Sequence, residues 1–173
     1  MGNRLSVSLR LLSPEDVGDA YLRWMNDPEV TRFLECRWRR FTTEMLRDFV
    51  RGANESPRDY LLGIFSEEGK RHIGNIKIGS VDWVHRFGDL GLLIGEKDCW
   101  GRGVATQAIE QACAYARDEL GLRKLVAGIY QGNEGSLRAF LKADFRQVGV
   151  LEKHRLDRGV WVDEYFVERL LQK

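Results

Sequence analysis

The run Ile94-Gly95-Glu96-Lys97-Asp98-Cys99-Trp100-Gly101-Arg102-Gly103-Val104-Ala105-Thr106 carries the end of an apolar, strand-like segment through glycines into the start of a helix-like one. Glycines let the backbone aim its N–H groups at an oxyanion, and a helix N-terminus adds about half a positive charge there. A phosphate or pyrophosphate suits such a junction, with Arg102 and Thr106 as further donors, although a plain strand-to-helix turn would use the same glycines. Two other phosphate motifs fail on spacing. A Walker A loop needs G-x-x-x-x-G-K-[ST], whereas five residues separate Gly95 from Gly101 and Arg102-Gly103 follows. A Rossmann G-x-G-x-x-G beginning at Gly101 would need glycine where Thr106 stands.

The elements that must hold this junction follow from periodicity. Val7, Leu9 and Leu11 alternate with polar residues as in a half-buried strand, and Ser13-Pro14-Glu15-Asp16 reads as the start of a helix that runs until Asn26-Asp27-Pro28. A basic loop separates it from a second helix, which begins at Thr42-Thr43-Glu44 and fades near Gly52-Ala53-Asn54. Tyr60 to Phe65, Ile73 to Ile78 and Leu90 to Ile94 are of strand length and bounded by turn residues, which predicts an antiparallel meander. From Val104 the period changes, and Ala105, Ala108, Ile109, Ala112 and Ala116 share one helical face, small enough to lie close on a sheet.

Leu125 to Tyr130 is continuously apolar, as expected of an interior strand covered on both faces and parallel to its predecessor through the helical crossover. A short helix from Asn133 to about Ala143 follows, then two long strands, Phe145 to Leu156 and Val160 to Leu170, joined at Asp157-Arg158-Gly159. The expected fold is α/β in the α+β sense: a mixed, mostly antiparallel central sheet of about seven strands flanked by helices, in the order βααβββαβαββ. No repeat or linker divides residues 1–173, so the reading is one domain.

Composition narrows the function classes. The chain has 173 residues, 43% hydrophobic and 31% charged, so it can offset chain entropy with a core. Lys+Arg less Asp+Glu is 27 − 26 = +1, which gives no bulk field toward nucleic acid or membrane. No apolar run approaches the roughly 18 residues of a membrane span, and MGNRLSVSLR lacks a signal-peptide core, so the expectation is a cytoplasmic protein. Cys36, Cys99 and Cys113 match no metal-binding spacing and read as free thiols. Met1, Gly2 and Ser6 satisfy an N-myristoylation pattern, but Ser6 already opens the first strand-like run, so no acylation is expected.

Trp100-Gly101-Arg102-Gly103-Val104-Ala105 resembles the acetyl-CoA pyrophosphate loop of the GNAT acetyltransferases, Q/R-x-x-G-x-G/A, with Trp100 suggesting the ribosomal-protein alanine acetyltransferase-like branch. The resemblance continues in Trp24-Met25-Asn26-Asp27-Pro28-Glu29-Val30, in Asn133-Glu134-Gly135-Ser136 and in the closing hairpin, and so covers nearly the whole chain. It implies acetyl-CoA as co-substrate and no metal. The holding residues would be Leu92, Leu93 and Ile94, then Trp100, Gly101, Arg102, Gly103, Val104, Ala105 and Thr106, and on the next helix Asn133, Ser136, Phe140 and Lys142. One departure bears on mechanism: the family pattern N-x-x-S-x-x-x-Y-E-K-x-G-F has a tyrosine acid where this chain has Phe140. A thiol of pKa near about 8.5 can leave as thiolate without that acid.

Amine acetylation also needs a base, because an alkyl amine is mostly protonated at neutral pH. Histidine, with a reference pKa of about 6.5, is the residue type suited to the task, and His85 lies in the connection that precedes the Leu90 to Ile94 strand. Asp82, Asp89, Glu35, Glu152 and Asp163 are the other candidates, with His85 and Glu35 taken as the catalytic pair. Arg37, Trp38 and Arg39, in the basic and aromatic run Glu35 to Phe41, together with Asp82 and Trp83, are the expected acceptor contacts. The arginines point to an anionic acceptor such as a nucleotide-linked amino sugar, while a protein N-terminal amine and a non-catalytic acyl-CoA-binding module are the alternatives. No nucleic acid or membrane partner is expected, and the chain is read as a monomer or homodimer.

Overall fold

The computed structural model describes residues 5–68 and 70–171, so Met1 and Gly2 of the acylation pattern and Gly69 of a hairpin turn lie outside them. Seven strands form one sheet: β1 (Val7–Leu11), β2 (Tyr60–Ser66), β3 (His72–Asp82), β4 (Phe87–Ile94), β5 (Lys124–Tyr130), β6 (Arg146–Asp157) and β7 (Val160–Leu170), in spatial order β1-β2-β3-β4-β5-β7-β6. Four helices, α1 (Asp19–Met25), α2 (Thr43–Glu55), α3 (Val104–Asp118) and α4 (Glu134–Lys142), complete the expected element order. β4 and β5 are parallel and the other neighbouring pairs antiparallel, as a helical crossover between them requires. Among the described residues no helix is long and apolar enough to cross a membrane.

Alternation along the strands divides the core in two. Leu62, Ile64, Ile76, Leu90 and Leu125 pack beneath α3 and α4, where Ala108, Ala112 and Ala116 are fully buried and let the helix lie close to the sheet. Leu61 and Phe65 face the other way, into a cluster with Tyr21, Trp24, Leu46 and Val50 of α1 and α2. That second cluster covers only the β1 to β4 half. On the same face of β5, Lys124 and Val126 are half-buried and Gly128 is exposed, so β5 is interior but not covered on both faces as its apolar run suggested.

Two boundaries differ from the sequence reading. The first helix begins late: Pro14–Asp16 make a single 3-10 turn, Val17 is extended, and α1 starts only after Gly18. Asp16 closes that turn, accepting from the Ser13 N–H at 2.8 Å and from both ends of the Arg10 guanidinium at 2.6 and 2.8 Å. The β3–β4 hairpin is also longer than its apolar core, because pairing continues from Gly79 through a bulge to Asp82 and Phe87, where polar residues hide the strand period.

The Asp16 arrangement predicts a pH dependence. The hydrogen bonds from Arg10, foremost among several causes, hold the Asp16 carboxyl down at about 2, against an ordinary 3.8. A depressed carboxylate contributes stability that is fully present above its unfolded value and is lost as pH falls toward the folded one. Because Arg10 is half-exposed and the pair is screened, Asp16→Asn should cost about 1 kcal/mol at pH 7, and the difference from wild type should shrink below about pH 4. Urea midpoints at pH 7 and pH 3 check this; a difference of the same size at both would assign the effect to the turn and not to the charge.

Candidate active site

The parallel pair is where the sheet comes apart. β4 and β5 pair only at Phe87↔Lys124, Gly88↔Leu125 and Asp89↔Val126, although β4 continues to Ile94 and β5 to Tyr130. Beyond Asp89, β4 follows β3, with partners through Gly74↔Ile94, while β5 follows β7 through Tyr130↔Glu164. The backbone N–H and C=O groups on the facing edges of Leu90–Ile94 and Ala127–Tyr130 are therefore free of sheet partners across a wedge-shaped opening. Continued register would set Gly91 against Gly128 and Leu93 against Tyr130.

The chain leaves β4 at the wide end of the wedge and turns into α3. Gly101 and Gly103 take the left-handed conformation, at φ 71° and 79°, and Gly103 is the residue immediately before the helix. Trp100 donates its indole N–H to the Ile94 carbonyl at 2.9 Å, fastening the loop to the strand end. Val104 and Cys99 are buried on either side of it. The helical ladder begins with the Gln107 N–H on the Gly103 carbonyl, so the Val104, Ala105 and Thr106 N–H groups precede it. Half-buried Arg102 stands at the same turn. These are the features an anionic pyrophosphate needs: oriented backbone donors, a positive helix end and glycines on both sides of Arg102.

α4 lies beside α3 across the opening. The Asn133 side-chain oxygen accepts from the Ser136 N–H at 3.4 Å, so Asn133 caps the helix. Phe140 is buried, edge-on to Phe145 with ring centroids 4.9 Å apart, and Lys142 is exposed in the last turn, at the other end of the helix. If Asn133 holds co-substrate as well as capping α4, Asn133→Ala should both lower stability by about 1 kcal/mol and raise the Michaelis constant for acetyl-CoA several-fold. A lower melting temperature with an unchanged Michaelis constant would leave it only the capping role.

On the face away from α3, the loop between α1 and α2 closes over the same wedge. Asn26 clasps the loop ends, donating to the Phe41 carbonyl at 3.0 Å and accepting from the Phe41 N–H at 2.9 Å. Arg37 donates to the Leu34 carbonyl at 2.7 Å, the Tyr130 hydroxyl at 3.1 Å and the Leu156 carbonyl at 2.5 Å, and its guanidinium lies over Trp38. Arg37 thus ties the loop to β5 and to the β6–β7 hairpin. Tyr130 donates to the Glu35 carboxylate, which also meets Arg155 at 3.3 Å. Arg155 in turn grips both carboxylate oxygens of Glu164 at 2.9 and 3.0 Å, and His154 stands 3.5 Å from Glu164. Burial first, and the adjoining Glu35 second, raise the Tyr130 phenol above its ordinary value, so it stays protonated at neutral pH.

This cluster joins Glu35 and Arg37 with three residues the sequence did not nominate: Tyr130, Arg155 and Glu164. Of the earlier carboxylates, Asp163 adjoins Glu164 on β7 but points to the opposite face and accepts from the Lys153 N–H at 2.9 Å. Glu152 is exposed on β6. Asp89, on β4 at the point where pairing ends, has its carboxyl raised by burial.

His85, Asp82 and Trp83 are not brought to the cluster. They lie in the β3–β4 turn, where the His85 N–H donates to Asp82 at 2.7 Å, the His85 carbonyl accepts from Arg123 at 3.0 Å, and Trp83 donates to the Pro57 carbonyl at 3.0 Å. Arg123 directly precedes β5, and at about 3.3 Å per residue the far end of that strand, Tyr130, is about 20 Å away.

Comparison with known proteins accords with this architecture. A family model described as an acetyltransferase (GNAT) domain matches residues 6–146. The chain is 24% identical over 168 residues, 95% of its length and 92% of the other, to an uncharacterized N-acetyltransferase p20 of Bacillus licheniformis. It is 31% identical over 110 residues, 63% of its length and 60% of the other, to a probable N-acetyltransferase YjcK of Bacillus subtilis. The crystal structure of a spermidine N-acetyltransferase from Vibrio cholerae in complex with CoA and spermine shares the fold, with a TM-score of 0.84 at 17% identity over 95% of each chain.

Proposed function

The chain belongs to the GNAT acetyltransferases, and from that premise we propose that it transfers the acetyl group of acetyl-CoA to a primary amine of a small acceptor, with a nucleotide-linked amino sugar as the leading candidate. The observation that carries the reading is the wedge: β4 and β5 separate after Asp89 and Val126, and β4 runs on to the glycine turn that opens α3. In this reading the pyrophosphate lies on the Gly101 to Thr106 turn, Leu92 to Ile94 offer the unpaired strand edge to the pantetheine arm, and Asn133 and Ser136 border it. The acceptor enters from the opposite face, over exposed Gly128, beneath the Glu35 to Phe41 loop.

The same loop supports an anionic acceptor. Arg37 is committed to holding the loop in place, so contact with an acceptor phosphate falls to Arg39 and Arg40, both exposed at the rim. The ribosomal-protein alanine acetyltransferase-like branch, with a protein N-terminus as acceptor, is the second reading; Trp38, at 67% exposure beside the arginines, supports it by offering an apolar contact to a peptide.

The test is release of CoA thiol from acetyl-CoA with three acceptors: a UDP-linked amino sugar, spermidine and an alanine-initiated peptide. Turnover fastest with the sugar is the expected result, and the peptide ahead of it would favour the second reading. Tight acetyl-CoA binding without turnover of any amine would make the protein an acyl-CoA-binding module.

A further inference from the structure

Deprotonation of the incoming amine needs a base, a role separate from that of the tyrosine acid, which in the family pattern serves the leaving thiolate. Phe140, at that tyrosine's position, has no ionisable group and is buried against Phe145. We propose that Tyr130 relays the amine's proton: its oxygen accepts the proton of the incoming amine as its own hydroxyl proton passes to Glu35. This deepens the acetyltransferase reading and rests on it.

Three observations carry the assignment. Tyr130 ends β5 at the wide part of the wedge, where continued register sets it opposite Leu93 on the acceptor face. Its hydroxyl already donates to Glu35 and accepts from Arg37 at 3.1 Å, so a path for its proton exists. Glu35 is 61% exposed, so its carboxylate can return a proton to water after each turnover. The charged groups facing Tyr130 come from each surrounding element: Glu35 and Arg37 from the loop, Arg155 from β6, whose guanidinium carbon is 5.6 Å from the ring centre, and Glu164 opposite it on β7. Two positive and two negative groups thus surround the phenol, and their formal charges sum to zero. Arg155 and Glu164 are positioning residues in this scheme, fixing Glu35 from behind.

The step balances. The acceptor arrives as an ammonium and loses two protons in all. The first leaves through Tyr130 to Glu35 and then to water, which frees the nitrogen lone pair. The nitrogen then bonds to the thioester carbonyl carbon, the carbon–sulfur bond breaks, and its electron pair departs on sulfur. The second nitrogen proton offsets that thiolate charge, giving amide, CoA thiol and one released proton.

The test compares two amines in Tyr130→Phe and Glu35→Gln. One is the alkyl amine that wild type turns over fastest among the three acceptors above; the other is hydroxylamine, weakly basic and largely neutral at neutral pH, which needs no base. The expected result is a loss of about a hundredfold or more in kcat/KM for the alkyl amine in Tyr130→Phe, with hydroxylamine acetylation and acetyl-CoA affinity within about threefold of wild type. Glu35→Gln should remove the acid limb of the alkyl-amine pH profile. Equal losses for both amines would mean Tyr130 only holds the site together, and no loss would remove it from the mechanism; either overturns the proposal. A wild-type protein that binds acetyl-CoA but acetylates none of the amines would instead overturn the acetyltransferase reading itself.

Discussion

Gly103→Val should weaken acetyl-CoA binding by a hundredfold or more, about 3 kcal/mol, while the protein still folds. Two effects act at that position. Gly103 sits at φ 79°, and a β-branched residue held there costs about 1–3 kcal/mol of strain. The turn can relieve that strain by rotating its peptides, but rotation turns away the Val104 and Ala105 N–H groups that would meet the pyrophosphate. The valine side chain would also stand where the phosphate must approach the backbone. Gly121 provides the control, since it too is left-handed, at φ 64°, but lies beyond the C-terminal end of α3, with open space where a side chain would go. Gly121→Val should lose comparable stability and keep its affinity. Calorimetric titration of both variants decides: unchanged affinity in Gly103→Val, or equal losses in both, would place the co-substrate elsewhere.

The contrast between those two glycines shows what a single sequence can convey. Gly101 and Gly103 stood out because they fall between a strand period and a helix period, and local order of that kind is written in adjacent residues. The same holds for the alternation of Val7 and Leu9 in β1 and for the alanine face of α3, which meet in one layer of the core. Longer-range placement is different. His85 and Tyr130 bracket the β4–β5 pair at opposite ends, and nothing adjacent to either residue says which end opens. That is set by pairing: β4 holds to β3 while β5 holds to β7.

Register decides the rest of the site in the same way. Asp163 and Glu164 are neighbours on β7, and a period of two sends one carboxylate to each face, so choosing between them requires knowing that Glu164 opposes Tyr130. The basic loop was legible as a charged run near the acceptor, but its arginines are not equivalent. Arg37 is a structural tie with three oxygen partners, whereas Arg39 and Arg40 face solvent. A run of one charge cannot tell a side chain that binds a ligand from one that anchors the loop presenting it.

Register also makes Gly128 a sensitive point on the acceptor side, with an expected loss of about a hundredfold in kcat/KM for the amine in Gly128→Ala. On β5, Gly128 lies diagonal to Glu164, and a Cβ there would overlap the Glu164 carboxylate. Glu164 is 3% exposed and holds Arg155 through both oxygens, so it has little room to retreat without releasing that pair. Displacing it should cost about 1–3 kcal/mol of stability and loosen Arg155 from Glu35, disturbing the groups that surround Tyr130. Acetyl-CoA affinity should change little, because the glycine turn before α3 is untouched. The second variant is Gly128→Ala with Glu164→Asp, whose shorter side chain clears the new methyl and still offers Arg155 a carboxylate. Melting temperature and kcat/KM should both recover partly in the double variant, giving a coupling between positions 128 and 164 that exceeds the few tenths of a kcal/mol seen for independent sites. Strictly additive losses would show that Gly128 contributes to the floor of the acceptor site by some route other than the Glu164 carboxylate.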